Sequence, residues 1–335
     1  MTPSSLAIGL LPVVLFLGAL VLMDSYKLVH GRSLVTALLV GGIAAALCFE
    51  VNRSLLLTLH VPVTLLTHFV APAIEECAKA LYVVWLVRAH RVGFLVDAAI
   101  LGFATGTGFA LVENLYYAGA LADAGPWLWI ARGLGTAIMH GATTAVVGVL
   151  TKDAADRRPE MTWMQPLPGL AIAIAAHAVF NHVARQPLLA TAFVLLVLPL
   201  VMIVVFERSE HATRDWLGTG LDLDMELLEL VMSEGVSDTR VGRYLHALRQ
   251  RFDGAVVADM LCLLRIHLEL SVRAKGMLIA RAAGVEVPVD DGVRDNLKEL
   301  GHLERVIGPT GRLAMQPILA ASGRDLWQLQ MLARR

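Results

Sequence analysis

Long apolar stretches separated by short polar loops fill the first 206 residues of the chain. Residues 5–23 and 187–206 carry no charge, and the shorter stretch 33–49 is also uncharged. Four further apolar stretches contain a few polar residues each, and they cover about 66–88, 94–119, 131–150 and 167–184. About 20 apolar residues cross the hydrocarbon core of a bilayer as a helix. The pattern therefore predicts an all-α, polytopic membrane helix bundle of about seven spans.

The segment 54–66 is apolar but short, and it contains Pro62. We interpret it as a re-entrant or interfacial segment that leads into the third span. The alternative is an additional short span.

The hydrophobic pattern changes after residue 207, where charged residues become frequent. Apolar residues recur at helical spacing in 221–232 and through 241–282, and Asp290, Asp291 and Gly292 predict a turn before a helix over 293–307. We therefore expect a transmembrane domain over 1–207 and a soluble helical domain over 208–335. No chemical motif stands out in the second domain, which is expected to dock a protein partner or to stabilise the membrane domain.

Composition narrows the class of protein. Hydrophobic residues make up 56% of the 335 residues, charged residues make up 17%, and the net charge is −1. These values exclude a disordered chain and indicate no nucleic-acid surface. The three cysteines, Cys48, Cys77 and Cys262, form no CxxC pair, so neither a disulfide framework nor a thiolate zinc site is indicated.

Basic residues follow alternate spans. Lys27, Arg88, Lys152 and Arg208 come after the first, third, fifth and seventh spans. Because basic loops stay in the cytoplasm, we expect the N-terminus outside and the domain 208–335 inside. The first span has no basic region before it and no small-residue cleavage site after it, so it is expected to remain as an anchor.

Ionisable residues interrupt four consecutive spans, although each costs about 2.5–3.5 kcal/mol at the centre of a bilayer. These polar positions are Glu75, Glu76 and Lys79 in the third span, Glu113 and Asn114 in the fourth, His140 in the fifth, and His177 and Asn181 in the sixth. Counting from the basic ends of the spans at 1.5 Å per residue, Glu75, Glu113, His140 and His177 all lie about 10 Å below the outer surface. The sequence thus predicts one polar pocket that opens outward.

Such a pocket suits hydrolysis of an amide bond. A buried glutamate can take a proton from water, histidine and carboxylate side chains are the usual ligands of catalytic zinc, and an amide can stabilise an oxyanion. Neither an HExxH motif nor a Ser/His/Asp set is evident, so metal-dependent and metal-free mechanisms both remain open. The alternative functions are an ion-coupled transporter, for which we see no inverted repeats, and a non-catalytic membrane scaffold.

Four ordered motifs resemble those of the PrsW family, which are bacterial intramembrane proteases distantly similar to the CAAX prenyl endopeptidases. The motifs are the Glu-Glu-Cys-Ala-Lys run at 75–79, the Gly-rich run at 106–117 that includes Glu113 and Asn114, His140, and the His-x-x-x-Asn run at 177–181. The resemblance covers about 66–184.

The resemblance implies a role for each site residue. Glu75 would activate water with help from His140, and Glu76 would orient that water and pair with Lys79. If the site holds a metal, with zinc as the expected ion, His140 and His177 would be ligands, and Glu113 would be either a third ligand or a carboxylate that supports one. Asn181 would stabilise the oxyanion, while Lys79 and Asn114 would support the site. The implied substrates are single-pass proteins of the bacterial inner membrane, such as anti-sigma factors, that are cut on the outer side.

Overall fold

The computed structural model describes residues 3–120, 125–158, 162–183, 186–285, 287–319 and 323–333. Every regular element in these ranges is a helix, which confirms the predicted all-α class. The chain divides into two compact units, 1–210 and 211–335.

Helices occupy all of the predicted membrane stretches in the first unit. In chain order they are α1 (Pro3–Met23), α2 (Gly31–Leu57), α3 (Val63–Leu65), α4 (Ala71–Arg88), α5 (Leu95–Ala120), α6 (Pro126–Ile130), α7 (Ala137–Arg157), α8 (Leu167–Val183) and α9 (Pro187–Met232), whose last part belongs to the second unit. A π-helical turn at Leu66–Val70 joins α3 to α4, and another at Ala131–Thr136 joins α6 to α7.

Among the residues that the structure describes, four stretches of helix are both long and apolar enough to cross a membrane: Gly31–Leu57, Leu95–Gly119, Pro126–Arg157 and Leu188–Met232. Shorter apolar helices lie at Ala7–Met23 and Leu167–Val183. Large hydrophobic side chains such as Leu39, Ile43 and Phe193 are exposed along α2 and α9. An apolar surface of this kind is expected where a helix faces lipid, and the protein is a membrane protein.

The segment 54–66 was predicted as one re-entrant or interfacial segment, but the structure divides it between two helices. Helix α2 continues as far as Leu57, eight residues beyond the predicted end of the second span. Residues 58–62 are not helical, and α3 begins after them. Pro62 lies directly before α3, where its fixed φ angle and missing N–H group are tolerated. The segment is therefore shared between two helices and is not an additional span.

Helix α5 is the central helix of the first unit and packs against α2 on one side and α7 on the other. Two glycines allow these close approaches. A Cβ atom at Gly106 would overlap the backbone of His140 in α7, and one at Gly108 would overlap the backbone of Leu38 in α2. This packing places the polar residues of α5 and α7 against each other.

The second unit is a helical domain. Beyond α9 it contains a 3₁₀ turn at Glu234–Asp238 and the helices α10 (Arg240–Leu248), α11 (Gly254–Ala282), α12 (Asp291–Val306), α13 (Gly308–Leu319) and α14 (Gly323–Ala333). The predicted turn at 290–292 is instead the start of α12, because the side chain of Asp290 caps that helix by accepting a hydrogen bond from the backbone N–H of Val293. The predicted run 241–282 is divided between α10 and α11.

Candidate active site

A buried ion pair on α4 lies at the centre of the site. Glu76 and Lys79 are both fully buried, and Lys79 Nζ lies 2.7 Å from Glu76 Oε1. The same ammonium group lies 3.0 Å from Nδ1 of His140, on α7. Because an ammonium group is only a donor, His140 Nδ1 accepts this hydrogen bond. The predicted pairing of Glu76 with Lys79 is therefore present in the structure.

His177, on α8, lies between the two adjacent glutamates. Its Nδ1 is 2.7 Å from Glu76 Oε1, and its Nε2 is 3.9 Å from Glu75 Oε2. A carboxylate beside Nδ1 holds the ring proton on that nitrogen and leaves a lone pair on Nε2. The lone pair of His177 consequently faces the side of the site where Glu75 lies.

His140 bridges α4 and α5 through its two ring nitrogens. Its Nε2 lies 2.9 Å from Glu113 Oε2 and donates to that carboxylate, since Nδ1 is the acceptor for Lys79. The rings of His140 and His177 meet edge to face with their centroids 4.8 Å apart. Phe109 forms an apolar wall beside them, with its ring centroid 5.0 Å from that of His140 and 5.0 Å from Lys79 Nζ.

Glu75, His140 and His177 are close enough together to share a metal ion, once His140 Nδ1 gives up the hydrogen bond that it accepts from Lys79. Each of them offers one ligand atom, and these three atoms lie within 4.8 Å of one another. Two histidines and a glutamate are a known ligand set of catalytic zinc. The sequence predicted Glu113, and not Glu75, as the carboxylate of a metal site, either as a ligand or as a support for one. In the structure Glu113 lies against His140 Nε2 and also pairs with Arg132, 3.3 Å away.

The two asparagines of the motifs hold neighbouring helices in place. Asn114 donates to the carbonyl of Gly9 on α1, at 2.8 Å, and Asn181 donates to the carbonyl of Thr67, at 2.9 Å. Thr67 belongs to the π-helical turn that precedes α4. Asn181 therefore links α8 to the turn that leads into the glutamate helix.

Two residues of the site were missed by the sequence reasoning. Asn52 donates to Glu75 Oε1 at 3.3 Å, and Arg132 donates to Asn114 Oδ1 at 2.9 Å in addition to its pairing with Glu113. Asn52 lies on the part of α2 beyond the predicted end of its span. A continuous helical pattern from 31 to 57 is the signal that could have found it.

The exposure of the carboxylates shows where the site opens. The Glu75 side chain is 16% exposed and that of Glu113 is 23% exposed, whereas that of Glu76 is fully buried. With all three carboxylates ionised and both histidines neutral, the two cations Lys79 and Arg132 leave the site with a net charge of −1. This charge favours a bound cation.

Comparison with known proteins gives one family. The sequence model of the PrsW family of intramembrane metalloproteases matches residues 30–206, which is more than half of the chain. No curated protein and no solved structure matches the chain. The matched range contains α2 to α8 and all the residues of the site described above. The chain therefore belongs to the PrsW family of intramembrane metalloproteases.

Proposed function

We propose that the protein hydrolyses a peptide bond of a single-pass membrane protein, with Glu75 as the general base that takes a proton from the attacking water. The observation that carries this proposal is the cluster of Glu75, His140 and His177, whose ligand atoms lie within 4.8 Å of one another. Glu76 is occupied by Lys79 and His177, and Glu113 is occupied by Arg132 and His140. Glu75 is the carboxylate that both reaches the surface and lies in the cluster.

The same three residues would hold the metal, for which zinc is the proposed ion, and His140 Nδ1 would exchange its hydrogen bond with Lys79 for the metal. A bound zinc ion would act as a Lewis acid beside the reacting carbonyl. The two oxygens of Glu75 have separate neighbours, because Oε2 faces His177 and Oε1 accepts from Asn52. Such a carboxylate can offer one oxygen to a cation and accept a proton on the other. Glu76 orients the ring of His177 and keeps its Nε2 unprotonated.

Asn181 is the proposed donor to the oxyanion. It lies one helical turn after His177, and its amide group has two hydrogens. One of them is used on the carbonyl of Thr67, which leaves the second for a negatively charged oxygen. After the peptide bond breaks, Glu75 returns its proton to the leaving nitrogen, so that the carboxylate is regenerated.

The proposed location of the reaction is the outer side of the bacterial inner membrane. The depth of the polar residues within their spans supports an outward-facing site, and the basic residues after alternate spans support an external N-terminus and a cytoplasmic domain over 208–335. Anti-sigma-factor-like proteins are the proposed substrate class, on the basis of the family resemblance. The cytoplasmic domain is the proposed docking region for a protein partner.

Cleavage of a single-pass reporter protein that is co-expressed with the chain tests this function. Wild type should produce the cleaved reporter, whereas Glu75→Gln, His140→Ala and His177→Ala should each abolish the product while the protein still accumulates in the membrane. Cys77→Ala is the matched control, because Cys77 lies on the same helix but is exposed and outside the cluster. Cleavage that persists in Glu75→Gln would exclude the proposed role of Glu75.

A further inference from the structure

We propose that Arg132 is a positioning residue that holds His140 through Glu113, and that the π-helical turn before α7 is what brings Arg132 to the site. The inference rests on the proposed function for its activity measurement. It concerns a residue outside the four sequence motifs.

The π-helical turn places Arg132 on the same face as His140. The two residues are eight positions apart, and at about 100° per residue they would lie about 80° apart around a regular helix. Arg132 lies within the turn Ala131–Thr136, whose hydrogen bonds span five residues and which therefore takes up one extra residue. The separation then acts as seven residues, which leaves only about 20° between the two side chains.

The guanidinium group of Arg132 is held on three sides by α5. Its Nε donates to Asn114 Oδ1 at 2.9 Å, its Nη2 lies 3.3 Å from Glu113 Oε1, and its central carbon lies 4.1 Å from the ring centroid of Tyr117. Asn114 is itself fixed by its hydrogen bond to the Gly9 carbonyl. The Arg132 side chain is only 13% exposed, so solvent competes little for these contacts.

The ion pair with Arg132 fixes the orientation of the Glu113 carboxylate, so that its other oxygen faces His140. Arg132 Nη2 forms an ion pair with Oε1 of Glu113 without a hydrogen bond to it, while Oε2 receives the proton of His140 Nε2 at 2.9 Å. With its proton held on Nε2, His140 has its lone pair on Nδ1, which is the nitrogen near Lys79. Partners beyond the ligating histidines of metal sites fix the ring orientation and tautomer, and their loss reduces activity or metal affinity by about 10–100-fold.

Kinetics of purified variants test this role. Arg132→Gln should lower kcat by about 10–100-fold with KM unchanged, and Arg132→Lys should recover part of the loss because lysine keeps the charge but lacks the fork of donors. The double variant Arg132→Gln/Glu113→Gln should be no slower than Glu113→Gln alone, because both changes break one pathway. Arg91→Gln is the matched control, since Arg91 stacks on Trp85 outside the site.

Zinc affinity gives a readout that does not depend on cleavage. Competition with a chelator should show weaker zinc binding in Arg132→Gln than in wild type, and unchanged binding in Arg91→Gln. If wild type binds zinc but cuts no reporter, the proposed protease function fails while the zinc measurement still decides the role of Arg132. Wild-type kcat and zinc affinity in Arg132→Gln, or additive losses in the double variant, would overturn the proposal. Should Arg132→Gln not fold, full kcat in a folded Arg132→Lys would overturn it equally.

Discussion

Lys79 Nζ lies 2.7 Å from Glu76 Oε1, and both side chains are fully buried one helical turn apart on α4. Removing one member of a buried pair leaves an uncompensated charge, which typically costs about 3–5 kcal/mol of folding free energy. Lys79→Met should therefore destabilise the protein by an amount of this order.

The double variant Glu76→Gln/Lys79→Met should recover most of that stability, because no unpaired charge remains and the glutamine oxygen can still accept from His177. Thermal unfolding of the purified variants in detergent measures both effects. A double variant as unstable as the sum of the two single variants would show that the pair does not act as one unit. Recovered stability without recovered cleavage would indicate that the charges serve the site rather than the fold.

Gly106 controls the approach of α5 to α7. A Cβ atom there would overlap the backbone carbonyl of His140, and backbone cannot move as a flexible side chain can. We expect Gly106→Ala to destabilise the protein by about 1–3 kcal/mol, as overpacking does, and to reduce cleavage because His140 is displaced. Gly119→Ala, where the added methyl group meets no neighbour within 4 Å, is the control and should behave as wild type in thermal unfolding and reporter cleavage.

His267 predicts a pH dependence for the stability of the second unit. Burial lowers the pKa of His267 below its usual 6.5, an effect opposed by Asp325 and Asp224 and reinforced by Lys275. The unfolded chain therefore binds a proton at a higher pH than the folded chain does. The stability that depends on neutral His267 is complete above about pH 6.5 and is lost as the pH falls below that value.

Chemical denaturation of the full chain over a pH series measures this effect. His267→Gln should flatten the loss of stability below pH 6.5, because the titrating group is gone. His302→Gln is the control, because His302 is exposed on α12, and it should leave the pH dependence unchanged. Equal slopes in wild type and His267→Gln would remove His267 as the cause.

Much of the architecture could be predicted because hydrophobic length and charge decide where helices lie in a membrane protein. Most residues of the site could also be predicted from the sequence. Glu75, Glu76 and His177 are polar residues within apolar spans, and a charged residue in a membrane needs a partner. Asn52 was missed because the charged and polar residues near the end of α2 mask a helix that continues to Leu57.

Arg132 and the identity of the clustered glutamate could not be read from the sequence for a different reason. No local sequence pattern indicates a π-helical turn. On a regular helix, Arg132 and His140 would lie about 80° apart. Glu75 and Glu113 have the same side-chain chemistry, and the sequence predicts a similar depth in the membrane for both. Only the contacts of Glu113 with Arg132 and His140 separate it from the cluster of Glu75, His140 and His177.

The metal content of the purified protein decides whether Glu75, His140 and His177 form a zinc site. Mass spectrometry should find bound zinc in wild type and in the control Cys77→Ala, and a large loss of zinc in each of Glu75→Gln, His140→Ala and His177→Ala. Cleavage of the reporter should disappear with a chelator and return with added zinc. Wild-type protein that is free of metal and still cleaves fully, or variants of all three residues that retain zinc, would show that this cluster is not the catalytic zinc site.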